Sequence, residues 1–394
     1  MKKKHFNERT LKKHFKYYKV VPLIIIVFTG CNHISINEQN EQVIQSEKTI
    51  AEAYLDKVLF LDSMYKNERT IENEDYTYPS ILNELEIEDE YGNKLFFKDF
   101  NIDEKNKIFN DWKQSYLKEI ESKLTNDVDL RESVTLENLA FENTLNSDKG
   151  HRAINNNDWY NFYNLYQSNI KKLIKDSKSE RAALADISNA SIVDKSLKIV
   201  KENYKQGRFF VCKDSSSSSS SSYIGHSSIM HEKEWNDSWK NDPMSKITIT
   251  STPKENSADW KGKSDGVQYE PLLYWVGNKD GCAEKVSIYE VQKVTWIWCI
   301  LFNYYKYSEP SNSDVDSAIK NANNARTSKL PYNWSFIKWV TSAMYCSQLV
   351  WYSWYNVSWK YELSQGPHVI FVTPSDLTLS NSAKHIVSYK NARD

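Results

Sequence analysis

The spacing of the apolar residues changes near residue 205, and no other feature limits the fold as strongly. Before that point the spacing is helical. In "KNKIFNDWKQSYLKEIESKL", Ile108, Phe109, Trp112, Tyr116, Ile120 and Leu124 fall on one face of a helix. "DWYNFYNLYQSNIKKLIKD" repeats the pattern with Phe162, Leu165, Tyr166, Leu173 and Ile174, and "ERAALADISNASIVDKSLKIVKENY" reads as a further helix. Residues 69–105 form an acidic interruption containing Pro and Gly, and the run "EIEDE" within it reads as a solvated face. Residues 49–204 are therefore expected to be mainly helical, and they show no motif that carries chemistry.

After "KQGRFFVCKD" the texture is different. Gly207 stops the helix, and Phe209–Cys212 reads as a strand. Eight consecutive serines, Ser215 to Ser222, read as a solvated, flexible loop with too little apolar surface to pack. Short strand-like runs follow: "IGHSSIM", "SKITITST", "VSIYEVQ" and "HVIFVTP". Among them lie a polar segment at 308–330 and a helix expected after Cys346. Short strands with a helix among them predict an α+β domain over 205–394. Tryptophan use agrees with two regions of different character: Trp112 and Trp159 precede residue 200, and the other 11 of the 13 follow it.

Composition sets the function classes. Hydrophobic residues at 40% and charged residues at 26% fit a folded body rather than a disordered one. A formal net charge of -1 gives no global field directed at nucleic acid or an acidic substrate.

The N-terminus reads as an export signal. Lys2, Lys3, Lys4, Arg9, Lys12, Lys13, Lys16 and Lys19 stand against one acid, Glu8, and "VVPLIIIVFTGC" follows. A basic segment before a short apolar run is the pattern of a signal peptide. No second apolar run approaches the roughly 20 residues that span a bilayer. The end of the run, Phe28-Thr29-Gly30-Cys31, resembles a bacterial lipobox, with Phe28 where leucine is usual. That resemblance implies diacylation of Cys31 and cleavage before it, and two acyl chains suffice for stable anchoring. The organisation expected is a signal and lipobox at 1–31, a polar tether at 32–48, the helical region at 49–204 and the α+β domain at 205–394.

Five cysteines remain to be placed: Cys31, Cys212, Cys282, Cys299 and Cys346. With Cys31 given to lipid and Cys346 to chemistry, an odd number is left, which suggests no obvious disulfide framework. Cys212, Cys282 and Cys299 are expected to be structural, and no spacing is that of a zinc site. There is no phosphate-cradling Gly-rich loop and no HExxH, so no cofactor or metal is expected.

Cysteine catalysis needs a thiolate, a histidine beside it and a group that orients the histidine. A helix N-terminus favours the thiolate. Cys346 fits that position. Pro331 and Asn333 precede it in irregular sequence, and "CSQLVWYSWY" contains no Gly or Pro. Its backbone N–H is then placed to hold an oxyanion. The histidines beyond the tether are His151, His226, His231, His368 and His385. His226, between Gly225 and Ser227 at the edge of an apolar strand, is the candidate whose small neighbours would leave its ring accessible. Taken singly, a histidine beside a strand or a cysteine among aromatics is more often structural.

The ordered set carries more weight: "GHSSIM", "DGVQYEPLLYW", "LPYNW", "YCSQLVWYSWY", "VTPSDLTLS". It resembles the permuted papain-like amidases of the YaeF/YiiX type, relatives of NlpC-type peptidases, over residues 205–385. The resemblance implies a permuted papain-like domain with a small antiparallel sheet and a cysteine-bearing helix, histidine first and cysteine last. It implies His226 and Cys346 as the catalytic pair and a structural role for Asp376. The family usually has a polar or acidic orienting residue on the strand after the histidine. Here that position falls on Thr250 or its neighbour Ser251, and a hydroxyl supports an imidazolium less than a carboxylate does. Glu255 and Glu270 are alternatives that sequence alone does not place. Trp351, Trp354, Tyr274 and Trp275 are expected mostly in the core.

The function implied is an exported, lipid-anchored cysteine hydrolase acting on an amide of a peptide or cell-wall-like substrate. Its expected partners are that substrate and a membrane, and no nucleic acid. A lipid acyltransferase or thioesterase at the same site, and a non-catalytic surface-binding lipoprotein, are the other readings.

Overall fold

The computed structural model describes residues 48–69, 78–79, 82, 87–89, 93–177, 193–212, 225–242, 244–252, 265–277, 285–298, 303–333, 338–364 and 371–390. The expected signal, Cys31, most of the tether and the serine run lie outside the described residues, as do His368, Cys282 and Cys299.

In chain order the elements are helix α1 (Ile50–Arg69), strands β1 (Ile87–Glu88) and β2 (Lys94–Leu95), and helices α2 (Ile102–Asn126), α3 (Val128–Leu145), α4 (Asp148–Asn155), α5 (Trp159–Ser177) and α6 (Asp194–Asn203). Then come β3 (Phe209–Cys212), β4 (His226–Met230), β5 (Lys246–Thr252), β6 (Gly266–Pro271), helix α7 (Leu272–Val276), β7 (Lys285–Val291), β8 (Lys293–Trp298) and β9 (Asn303–Ser308). Helices α8 (Asn312–Thr327), α9 (Cys346–Tyr355) and α10 (Pro374–Leu379) and strand β10 (Ala383–Lys390) follow among the described residues.

This is an α+β fold. Six strands form an antiparallel sheet in the order β10-β7-β3-β4-β5-β6. A smaller sheet, β2-β1-β8-β9, is antiparallel except for the parallel pair β1 and β8.

The first half folds as its pattern dictates. Asn101 caps α2: its side chain accepts from the backbone of Asp103 and Glu104, while Glu104 accepts from the Asn101 N–H at 3.1 Å. From there Ile108, Trp112, Tyr116, Ile120 and Leu124 repeat every fourth residue and are buried. Each such side chain contributes roughly 1.5–3 kcal/mol of burial. On α5 the buried face is Phe162, Tyr163, Tyr166 and Ile170, with Leu165 and Leu173 only half-buried.

Two apolar layers flank the main sheet. On one face Phe209, Ile229 and Ile249 pack with Leu349, Val350 and Trp354 of α9 and with Ala318 and Ala322 of α8. On the other, Phe210, Met230 and Ile288 pack with Trp275 of α7 and Val200 of α6. The helices of the first half join this body: Leu379 is buried among α1, α2 and α3 residues, and Phe371 among α3 and α5 residues. Residues 48–394 accordingly make one compact unit that continues across the change in pattern at residue 205.

One local expectation is corrected, and one segment gains a structure that its polar sequence left open. The described end of "HVIFVTP", residues 371–373, is irregular and leads into α10, whose first residue is Pro374. The polar segment at 308–330 contains a helix, α8, with a Ser311–Asp314 capping box and a buried face made largely of alanine.

Candidate active site

His226 is the first residue of β4. Gly225 before it has φ +105°, a conformation open to glycine at little cost. Contrary to the expectation of an accessible ring, His226 is buried at 4% exposure. Trp275 lies nearly parallel to it, with centroids 5.8 Å apart, and Tyr274 meets it edge-on at 5.2 Å.

Cys346 is the first residue of α9, a buried free thiol. Although β4 runs from 226 to 230, its ladder with β5 is confined to Ile229↔Ile249 and Met230↔Thr248. Toward His226 the strands share no further rungs, and the segment before α9 meets them there. Ser251 Oγ donates to the Met344 carbonyl, and the Ser227 backbone N–H donates to the Cys346 sulfur. His226 and Cys346, 120 positions apart by number, come close enough for each to act on the other's proton affinity.

The third group is a carboxylate. Glu270 Oε1 lies 2.9 Å from His226 Nε2. Glu270 is fully buried on β6, and its second oxygen, Oε2, has no partner among the described residues. Thr250 Oγ1 is also near Nε2, at 3.2 Å, while its own hydrogen goes to the Ser227 carbonyl at 2.9 Å. The ring N–H is thus shared between a carboxylate and a hydroxyl lone pair, with the carboxylate closer. Thr248 pairs with Glu270 across β5 and β6, so Thr248, Thr250 and Glu270 share one face of the sheet. With Nε2 committed to Glu270, Nδ1 is the ring nitrogen that can meet the sulfur. Glu270, which sequence reasoning left unplaced, stands where Thr250 was expected, and Thr250 supports it.

Charge follows from this geometry. Burial is the largest influence on His226 and disfavours the imidazolium. The Glu270 carboxylate and the Cys346 contact together outweigh it, and the ring is pushed up to about 10. For Cys346 burial again acts first, pushing the thiol up. The His226 hydrogen bond and charge, with backbone N–H groups of Ser227 and Ser347, override it and hold the thiol below its ordinary value. The arrangement favours a thiolate–imidazolium pair.

A group raised in the folded state, such as His226, stabilises the fold fully below about 6.5, and that contribution is lost as pH rises through about 10. A group lowered in the folded state, such as Cys346, stabilises the fold above the ordinary thiol range and loses that contribution as pH falls through its depressed value. The pair is therefore complete between those limits. The rate of Cys346 alkylation by iodoacetamide, read by mass spectrometry across pH, is expected to reach its plateau below the thiol value of about 8.5. The plateau should end near pH 10, where the imidazolium loses its proton. A single step at the ordinary thiol value would disprove the pair.

The approach to α9 is braced from both sides. Gln348 is fully buried and uses all four of its hydrogen-bonding positions. Its Oε1 accepts from Asn333 Nδ2 at 3.0 Å and from the Tyr345 N–H at 3.2 Å, and its Nε2 donates to the carbonyls of Lys338 and Val340. Lys338 is itself fully buried, with its Nζ 4.3 Å from the centre of the Trp351 ring, 5.0 Å from that of Trp339 and 3.5 Å from Glu362. Trp351, Trp354 and Trp275 are core residues, while Tyr274 is half-buried. Asp376 closes a capping box with Thr373 at the start of α10.

The other described histidines stand elsewhere. His231 Nε2 bonds the Lys246 carbonyl, His385 Nε2 bonds Ser388 Oγ, and His151 is exposed on α4. Cys212 is disulfide-bonded, which the odd cysteine count did not suggest, and its partner lies outside the described residues. Among the described residues no cluster of three or more His, Cys, Asp or Glu could hold a metal ion, and no helix is long and apolar enough to cross a membrane. No protein-family model, curated protein or solved structure matches this chain.

Proposed function

We propose that the chain is a cysteine hydrolase that cleaves an amide bond through an acyl-enzyme, with a permuted papain-like arrangement of its site. One observation carries this reading: a thiol at the first residue of a helix lies within reach of a histidine whose other nitrogen is held by a buried carboxylate. The histidine comes first in the chain and the cysteine last, the order that defines the permuted group in the resemblance above.

In the resting site the thiol proton resides on His226. The Cys346 sulfur attacks the substrate carbonyl and forms the C–S bond, and the first N–H groups of α9 receive the developing oxyanion. The imidazolium then gives its proton to the departing amine as the C–N bond breaks, leaving a thioester. His226 takes a proton from water as the water attacks that thioester. Release of the acid returns the proton to the Cys346–His226 pair.

Export is supported by the disulfide at Cys212, since disulfides persist in oxidising compartments. Anchoring through Cys31 rests on the lipobox resemblance. Cys346→Ala is expected to abolish hydrolysis across a panel of peptide, peptidoglycan-fragment and acyl-ester substrates, with an unaltered circular dichroism spectrum. Undiminished turnover of every substrate that the wild type accepts would remove Cys346 from the mechanism. A response confined to acyl-lipid esters would move the reading to an acyltransferase or thioesterase.

A further inference from the structure

The first half of the chain carries no chemical motif, yet it holds a cluster of buried charges that leads to the site. Lys57 of α1 and Glu137 of α3 form an ion pair at 2.9 Å, with side-chain exposures of 3% and 1%. The Lys57 ammonium also lies over the Tyr54 ring, 4.4 Å from its centre. Buried charges are costly unless well paired, so a cluster retained in a core of helices needs a reason. The contacts of this cluster supply one.

Tyr54 Oη donates to Asp376 Oδ1 at 2.6 Å. The single Thr373 hydroxyl hydrogen is shared between Asp376 Oδ2 at 2.9 Å and Glu137 Oε1 at 3.3 Å, with Asp376 the closer. Asp376 Oδ2 in turn receives the Thr373 N–H at 2.8 Å. The helices thereby fix Thr373, and the residue before it, Val372, is held from the opposite side. The Val372 N–H donates to Tyr345 Oη at 2.8 Å, and Ser347 Oγ donates to the Val372 carbonyl at 2.6 Å. Tyr345 and Ser347 are the two neighbours of Cys346. Every group in the chain of contacts from Lys57 to Ser347 is buried.

We infer that Tyr54, Lys57 and Glu137 are positioning residues for Cys346, acting through Thr373 and Val372. This rests on the hydrolase reading and extends it: the helical half is a brace for the nucleophile. It sets where the sulfur sits relative to His226, because Tyr345 and Ser347 flank Cys346 at the start of α9. A shift of α9 lengthens the Cys346–His226 contact that stabilises the thiolate.

The test is Tyr54→Phe in the full chain, which deletes one hydroxyl. Ile108→Val, which removes a methyl from the core of α1 and α2 and whose side chain makes no hydrogen bond or ion pair in the network, is the control for stability alone. The readout is Cys346 alkylation by iodoacetamide as a function of pH. Tyr54→Phe is expected to slow alkylation at pH 7 about fivefold, the scale of one lost buried hydrogen bond, and to raise the pH midpoint. Ile108→Val is expected to leave the midpoint in place. A wild-type Cys346 that is unreactive at neutral pH would remove the hydrolase reading and this inference with it. A reactive wild type whose midpoint and rate persist in Tyr54→Phe would overturn the inference alone. Should Tyr54→Phe fail to fold, hydrogen exchange of the wild type decides. Amides of Cys346–Val350 opening together with those of Tyr54–Val58 support the brace, and independent opening refutes it.

Discussion

Glu270→Gln is expected to cut turnover roughly 10²–10⁴-fold, the range set by loss of a competent general base. The carboxylate does two jobs at His226 Nε2, 2.9 Å away. Its charge is the main influence opposing the burial of the imidazolium. Its oxygen accepts the Nε2 proton, which leaves Nδ1 to receive the proton of the thiol. A glutamine keeps the shape and removes the charge, so the ring falls from about 10 toward or below its usual value. The Cys346 thiol then loses the charge that holds it low and becomes mostly neutral at pH 7. The amide can also present its NH₂ to Nε2, which drives the ring proton onto Nδ1 and blocks transfer from sulfur. Thr250→Val is expected to cost less than about tenfold, because a hydroxyl 3.2 Å from the same nitrogen supplies no charge. The pH midpoint of Cys346 alkylation separates the two: Glu270→Gln should move it up by far the larger amount. A midpoint unmoved in Glu270→Gln and shifted in Thr250→Val would make Thr250 the orienting group.

The reason Glu270 was not legible in the sequence is topological. A carboxylate in "GVQYEP" is separated from His226 by a whole strand and by residues 253–264, and nothing in that spacing says which strand it joins. The sheet order β4-β5-β6 resolves it, since β6 pairs with β5 and presents Glu270 on the face of Thr248 and Thr250. Thr250 was within reach of a local reading, because β5 follows β4 directly. Cys346 was legible because its signal is local: an aromatic run without Gly or Pro beginning at the cysteine. The α2 face was legible for the same reason, five large side chains at a constant spacing. Helix α8 escaped because its buried face is mainly Ala318, Ala322 and Ala325, whose apolar signal is weak beside the surrounding Asn, Ser and Asp. The brace from Lys57 to Ser347 was beyond any local pattern, since it joins side chains whose partners lie in other elements. Glu137 and Thr373, for instance, are separated by 236 positions.

Lys57→Met is expected to destabilise the fold by about 3–5 kcal/mol, the cost of leaving one member of a buried pair without its partner. Lys57 and Glu137 are nearly inaccessible, and Asp376 lies close enough to Glu137 to add a like charge. In the native protein burial is the strongest influence on Glu137 and raises its carboxyl. The Lys57 ammonium pulls it back, Asp376 raises it again, and the net direction is upward. Without Lys57 the restraint disappears and the carboxyl rises further. A carboxyl raised in the folded state binds its proton when the unfolded chain has already lost it, so stability falls as pH rises through the interval between the two values. The deficit of Lys57→Met should therefore be smallest in mild acid, where Glu137 is protonated and neutral in both states. It should grow toward neutral pH and level off once Glu137 ionises in the fold. The double variant Lys57→Met/Glu137→Leu removes both charges and is expected to regain most of the loss, because a buried pair replaced by apolar groups of similar volume is often neutral. Urea denaturation of the wild type, both single variants and the double variant at two pH values measures the coupling. A Lys57→Met deficit below about 1 kcal/mol, the scale of an exposed pair, would mean that water reaches the cluster.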